Sequence, residues 1–388
     1  MQSPSWALGA PEELLASLVT LDSTNPSLVA GGGGETAVAA LVAEHLERAG
    51  LQVHRWEVLP GRESVLGVLR GGGRGRSLML CSHLDVVGAD PDRFTPSMRG
   101  GRMYGRGTCD MKGGLAASIL AARELAADRE PLAGDVLIAG VIDEEWLSAG
   151  AVDLVERLAA QNIRVDGAIL PEPTGLSLVI EHGGFAWWNV VSTGAEAAGD
   201  DPNHGVDAIA LLGGVLSGLL ELDSELARRP PKPYGRPCIH ASTITGGTQL
   251  PCYPGVCEVG IERCLVPGET VAQAHSELDV LLARAAAVEP RLRTELQLIV
   301  GREAMSLGRS EAVVTELATA ARTHLGAAPQ IRGDMGWMDS GILVGGGIPC
   351  VAFGPTGAGE HTADEWVDLE SVRTCGRVLA DTARSFCR

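Results

Sequence analysis

Five side chains along this chain have the chemistry of metal ligands: His83, Asp110, Glu145, Glu172 and His361. They stand in the segments L-M-L-C-S-H-L-D, G-R-G-T-C-D-M-K-G-G, V-I-D-E-E, I-L-P-E-P-T and G-E-H-T-A-D-E-W. In each, an apolar run gives way to a Gly-rich or polar loop. Neutral imidazole and carboxylate oxygen are the usual ligands of zinc, cobalt or manganese at catalytic sites. One such residue means little, since a surface carboxylate is usually only solvated and a single histidine usually structural. Five at strand ends point to a place where two divalent ions could be held, because the sheet fixes them while loops vary. Glu144 and Glu145 are adjacent and cannot both chelate in the same way, so one ligand and one free carboxylate is the natural division.

The elements that must position these residues read as an α/β fold. Helical patterns cover 11–19 and 35–49, the second closed by Gly50. Short apolar strands at 78–82, 136–142 and 167–170 lead into His83, Glu145 and Glu172, and helices at 113–127 and 148–160 alternate with them. Such alternation implies a mostly parallel sheet covered by helices. From Phe185 the texture changes: strands at 185–193, 239–244, 257–261 and 295–300, and helices at 207–226 and 271–288. The stripe Ile209, Leu212, Leu216, Leu219 and Leu220 marks the first of these helices. This section predicts a smaller α+β sandwich inserted in the larger domain. The α/β texture then returns, with a helix at 311–325, a strand at 348–353 and a closing helix from Glu370. The expected organisation is a site-bearing domain in two parts, 1–184 and 301–388, interrupted by a lid domain over 185–300. Four of the five residues precede the insert and His361 follows it, so the insert is expected to cover the site.

Composition narrows the partners. A chain of 388 residues favours two domains. The net charge of −18, with a pI near 4.9, argues against nucleic acid and anionic membrane surfaces. Nine cysteines without C-x-x-C spacing fit reduced thiols in a cytoplasmic protein. The first residues lack a basic stretch followed by a long apolar one, so no secretory leader is expected.

The segments S-H-L-D-V-V, M-Y-G-R-G-T-C-D-M-K-G-G, D-E-E, P-E-P-T and E-H-T-A-D-E-W together resemble the di-zinc deacylases and peptidases. That family includes acetylornithine deacetylase, succinyl-diaminopimelate desuccinylase, aminoacylase and carboxypeptidase G. G-G-F-A-W-W, V-P-G-E and G-I-P-C-V-A-F-G-P follow in the family's order, so the likeness runs from about Pro11 to the C-terminus. The resemblance implies two divalent ions, zinc with cobalt or manganese as alternatives. It implies that Asp110 bridges them, that His83 and Glu172 complete one, and that Glu145 and His361 complete the other. It further implies Glu144 as general base, Asp85 as the acceptor for the second N–H of His83, and a homodimer through the lid. The chemistry is coherent, because metal coordination brings the pKa of water down to about 7 and a free carboxylate can shuttle its proton to the departing amine. The activity so implied is hydrolysis of an N-acyl amino acid or small peptide-like amide.

Three positions depart from that pattern. The lid motif G-x-x-x-H-x-x-x-P-x-x-G-x-(N/D)-A-I corresponds to G-A-E-A-A-G-D-D-P-N-H-G-V-D-A-I, with Ala198 where the family carries an imidazole that stabilises the oxyanion in the partner's site. Activity is therefore expected to be impaired. Either Ala198 replaces a natural histidine, which the intact ligand set favours, or the chain has diverged toward slow hydrolysis, another reaction or binding alone. Cys264 stands where relatives often place a substrate-binding Arg, with Arg263 beside it, and Gln249–Cys252 replaces a stretch that often holds Asn. Arg302 and Arg263 are the candidate substrate cations. Cys109, adjacent to Asp110, is read as packing; His182, His204, His240 and His324 are read as structural or surface residues. A dipeptidase or carboxypeptidase, a metal-binding pseudoenzyme and an amide-forming homologue stay open as alternatives.

Overall fold

The computed structural model describes residues 11–388. Residues 1–10, on which the absence of a leader and the start of the first domain were read, lie outside the described residues. The chain divides into two compact units. One takes in the chain through Ile180, then Leu307–Arg332 and Met338–Arg388; the other comprises Glu181–Ser306 and Gly333–Trp337.

The first unit is mixed α/β with a mostly parallel centre, as its strand–helix alternation predicts. Leu78–His83 is flanked in parallel by Val136–Val141 and Gly167–Leu170, and Cys350–Ala352 runs parallel to the last of these. Leu78–His83, Val136–Val141 and Gly167–Leu170 are buried throughout, which is why they read as unbroken apolar runs. The margins are antiparallel: Arg62–Leu69 joins Val136–Val141, pairs with Gln52–Leu59 beyond it, and Leu178–His182 meets Cys350–Ala352. The Gln52–Leu59 and Arg62–Leu69 hairpin escaped the sequence reading. Its outer strand, Q-V-H-R-W-E-V-L, has no buried residue and no apolar run to betray it.

Parallel neighbours end at the same edge, so His83, Asp143 to Glu145, and Glu172 leave the sheet side by side. The helix Gly113–Ala126 follows Asp110 and passes very close to the chain before Glu172. A Cβ on Gly114 would lie 1.9 Å from the Pro171 carbonyl oxygen, so only glycine fits there. A small antiparallel sheet, in the order Gly357–Ala358, Trp366–Asp368, Arg102–Tyr104 and Ser97–Arg99, carries the His361 loop.

The second unit is a four-stranded antiparallel sheet with helices on one face. Its order is Cys238–Gly246, Val256–Leu265, Gly184–Thr193, Thr294–Arg302. Ala186, Trp188 and Val190 alternate with half-buried neighbours and join Val259 and Ile261 beneath leucines of Gly213–Leu226 and Val271–Val288. Thr270 and Gln273 cap Val271–Val288 reciprocally, side chain to backbone. The helix expected over 207–226 is in fact two, Ala208–Leu211 and Gly213–Leu226, because Gly213-Gly214 weakens the helix at the junction. The break rotates the stripe. Leu211, Leu212, Val215, Leu219 and Leu222 enter the core, whereas Ile209 and Leu220 are 41% and 74% exposed.

His182 belongs to this unit and is fully buried, edge-on to Trp337 at 6.3 Å, with Nδ1 2.7 Å from the Gly183 carbonyl. Burial pushes its pKa down to about 4, against the opposing influence of that carbonyl and of Asp334. The unfolded ring takes its proton near pH 6.5, roughly. Stability supplied by the neutral ring is therefore present above that pH and lost as pH falls toward the folded value. The loss should reach about 2 kcal/mol by about pH 5. Urea unfolding at about pH 7.5 and pH 5 should show this increment in the wild type and not in His182→Gln.

Candidate metal centre

All five sequence-marked residues lie in the first unit, and the fold brings them together. His83 closes its strand with Nε2 2.9 Å from Asp110 Oδ1 and 3.9 Å from Glu172 Oε1. His361 Nε2 lies 3.2 Å from Asp110 Oδ2 and 3.0 Å from Glu145 Oε2. Two triads result, His83/Asp110/Glu172 and Asp110/Glu145/His361, with the donor atoms of each within 4.8 Å of one another. Asp110 belongs to both, offering one oxygen to each side.

The donor set fits divalent cations. Glu145 Oε1 and Glu172 Oε1 are buried without a hydrogen-bond partner, a costly state for carboxylate oxygen. Burial pushes Glu172 up to about 8; Asp110, Asp339 and Glu145 add to the rise, and His83 opposes it. Hydrogen bonds to Asp110 and then Glu145 raise His361 to about 10. Such crowding of negative charge is what a bound cation compensates.

Asp85 does more than face the His83 ring. The nearest acceptor for His83 Nδ1 is the Asp85 backbone carbonyl at 3.0 Å; the carboxylate is 3.6 Å away. That carboxylate accepts the backbone N–H groups of Glu144 and Glu145, both at 3.1 Å, and the Asn25 amide at 2.8 Å. Asp85 thus holds the Asp-Glu-Glu turn. Burial works to raise its pKa, but His83, Asn25 and the Glu145 N–H hold it below the usual range.

Behind the turn lies a buried network that sequence reasoning missed. Asp143 adopts φ +70, a left-handed conformation uncommon outside glycine. Its carboxylate meets Arg62 at 2.9 Å and Asn25 at 3.1 Å, while Arg62 Nε donates to Glu35 at 2.8 Å. Glu35 in turn accepts the Asp143 backbone N–H at 3.2 Å. Replacing Arg62 by Met leaves two buried carboxylates without their cation. The expected cost is about 3–5 kcal/mol of stability, read by denaturant unfolding. Glu365, also unmarked in the sequence reading, anchors the Asp110 loop. It pairs with Arg106 at 2.6 Å and accepts the N–H groups of Gly107, Cys109 and Asp110. Their only sequence trace is a scatter of charged residues beside Gly-rich turns.

Glu144 feels the charges of His83, Glu172 and Glu145 but belongs to neither triad. Burial, followed by the charges of Asp339, Glu172 and Glu145, pushes its carboxyl well above the usual range, with His83 opposing. Cys109 is buried, its thiol 3.3 Å from Glu360 Oε1. In the second unit, Ala198 sits exposed on the two-residue strand Ala197–Ala198, opposite Cys252. The expectation for Arg263 needs correction. Its side chain is 1% exposed on the helix face of the sheet, bound to Glu269 at 3.0 Å, to Glu277 at 3.3 Å and to the Cys264 carbonyl. A guanidinium so enclosed has no edge left for substrate. Arg302 is half-buried, donates to the Gly301 carbonyl at 3.2 Å and lies over Trp337 at 5.9 Å. The other histidines read as structural or surface residues have local partners: His204 with Asp201, His240 with Glu262 and His324 with Asp381.

Comparison with known proteins gives the class. Residues 79–385 match the model of peptidase family M20/M25/M40, so the chain belongs to that family of metal-dependent hydrolases acting on amide bonds. Among curated relatives, it is 28% identical to acetylornithine deacetylase of Proteus mirabilis (strain HI4320), covering 97% of this chain and 96% of that one. It is 25% identical to N-formyl-4-amino-5-aminomethyl-2-methylpyrimidine deformylase of Bacillus subtilis (strain 168), over 90% and 89%. Among solved structures, an M20 family metallo-carboxypeptidase from Sulfolobus solfataricus shares the fold at a TM-score of 0.80 and 17% identity, covering 98% and 99%. A Bacillus subtilis protein described as a dinuclear metal binding peptidase shares it at 0.70 and 17%, over 97% of each chain. Among the described residues, no helix is long and apolar enough to cross a membrane.

Proposed function

We propose that this protein hydrolyses the amide bond of an N-acyl amino acid or a small peptide-like substrate. The carrying observation is the pair of triads sharing Asp110 beside a carboxylate, Glu144, that neither triad uses. The deacetylase relative, similar over nearly the whole of both chains, supports the acyl side of this reading. His83, Asp110 and Glu172 would hold one divalent ion, and Asp110, Glu145 and His361 the other; zinc suits this set, as do cobalt and manganese. Bound there, the ions supply Lewis acidity toward the substrate carbonyl and toward water.

The protein's own part is positioning and proton transfer. Asp85 fixes the backbone of Glu144 and Glu145 through two hydrogen bonds, so the base and its neighbour cannot exchange places. Glu144 takes a proton from the attacking water and returns it to the departing amine nitrogen. Arg302 remains the candidate for a substrate carboxylate. The same reading includes a cytoplasmic location and a homodimer through the second unit, for which exposed Ile244 on Cys238–Gly246, together with Ile209, offers apolar surface.

A panel of N-acyl amino acids and dipeptides, assayed with and without a chelator, tests the proposal. Chelator-sensitive release of a free amine is expected from the acylated members; a strict need for a free α-amine would favour the dipeptidase reading. If Ala198 removes an oxyanion donor, Ala198→His should raise kcat by about 10²–10³ with little change in metal content. No gain would favour divergence over a simple loss.

A further inference from the structure

The nine cysteines differ sharply in access. Cys81, Cys109, Cys257, Cys350, Cys375 and Cys387 are buried and Cys252 is exposed, whereas Cys238 and Cys264 are half-buried. These last two are directly opposite one another across the antiparallel strands Cys238–Gly246 and Val256–Leu265. Their chain neighbours Ile239 and Leu265 enter the apolar core under the helices. By strand alternation, both sulfurs therefore lie on the sheet face turned away from those helices, rather than on its edge.

Opposed Cβ atoms in such a pair are about 4.5–5.5 Å apart, and a disulfide needs about 3.5–4.5 Å. Closure therefore asks for a movement on the order of 1 Å, at the first residue of an outer strand. The register sets the two thiols against each other as direct cross-strand neighbours. Arg236, two residues before Cys238, is held by Asp223 at 3.0 and 3.1 Å. The facing Cys264 thiol brings the Cys238 thiol down to about 6; burial opposes this and the Arg236 charge assists it. Cys264 is shifted the other way, upward, first by the facing Cys238 thiol and then by burial. One member is a ready nucleophile and the other keeps its proton until later.

We propose that Cys238 and Cys264 are a redox modification site, closing to a cross-strand disulfide by exchange with a low-molecular-weight disulfide such as oxidised glutathione. The Cys238 thiolate attacks one sulfur of the reagent, whose S–S bond breaks and releases one thiol. The resulting mixed disulfide on Cys238 is then attacked by Cys264, which gives up its proton to solvent as the second thiol leaves. Two protein thiols are oxidised and one reagent disulfide is reduced to two thiols, so electrons and protons balance. The product ties the outer strand Cys238–Gly246 to its neighbour. Being close to the surface, it is of the labile kind that a reducing compartment reopens.

The test is peptide mapping of the full chain after incubation with oxidised glutathione and trapping of the remaining thiols by alkylation. A Cys238–Cys264 linked peptide is expected, removed by dithiothreitol and formed before appreciable modification of the six buried thiols. A Cys264→Ser variant should instead accumulate glutathione on Cys238, since the resolving thiol is gone. Exposed Cys252 serves as the internal comparison. Glutathione on Cys252 with Cys238 and Cys264 both recovered alkylated would overturn the proposal, and the wild-type map gives that answer whether or not the variant folds.

Discussion

Asp110→Asn should strip both halves of the centre at once. Asp110 Oδ1 faces His83 and Oδ2 faces His361, so one side chain serves two triads. The amide nitrogen of Asn has no lone pair to give, so one triad loses its third donor and the other keeps only a neutral amide oxygen in place of carboxylate. Bound divalent metal should fall from about two per chain to well below one, and hydrolysis by about 10³–10⁴, beyond the roughly 10–100-fold that loss of an outer partner costs. The fold should survive, because Glu365 holds the Asp110 loop through backbone N–H groups that the substitution leaves intact. His361→Ala is the informative contrast, since it touches only the triad of Asp110, Glu145 and His361 and should leave about one ion. Full metal loading and undiminished turnover in Asp110→Asn would remove the shared-ligand reading.

Glu144→Gln should separate chemistry from binding. Glu144 lies in neither triad, and its backbone N–H reaches Asp85 whatever the side chain. Metal content should therefore match the wild type, with KM little changed. The turnover number should fall by about 10²–10⁴, the usual contribution of a positioned proton carrier. Loss of metal in this variant would instead make Glu144 a ligand. Normal turnover would move the base elsewhere, and Asp339, whose charge acts on Glu144, would be the first residue to examine.

The sequence carried the parts of this site that end buried strands. His83, Glu145 and Glu172 follow runs that are apolar because both faces of the sheet are covered, and such runs are legible without a structure. His361 was placed by its motif, since its loop hangs on strands of only two and three residues. What stayed hidden is the support. Asn25, Glu35, Arg62 and Asp143 come from four separate segments, and only the fold makes a single buried network of them. Their spacing carries no period that a linear reading can use. The role of Asp85 was legible only in part, for a related reason. Two residues after His83, it is well placed to meet that ring, and its carboxylate also gathers a turn some sixty positions later. Arg263 illustrates the opposite error: alternation put it on the helix face, where Glu269 and Glu277 claim it.

The most direct measurement is diffraction from crystals of the metal-loaded protein, with anomalous scattering recorded above and below the zinc edge. Two peaks are expected on either side of the Asp110 carboxylate, one within ligand distance of His83 and Glu172, the other of Glu145 and His361. Density showing the five side chains ordered but no ion near Asp110, at saturating zinc, would contradict the reading of this centre.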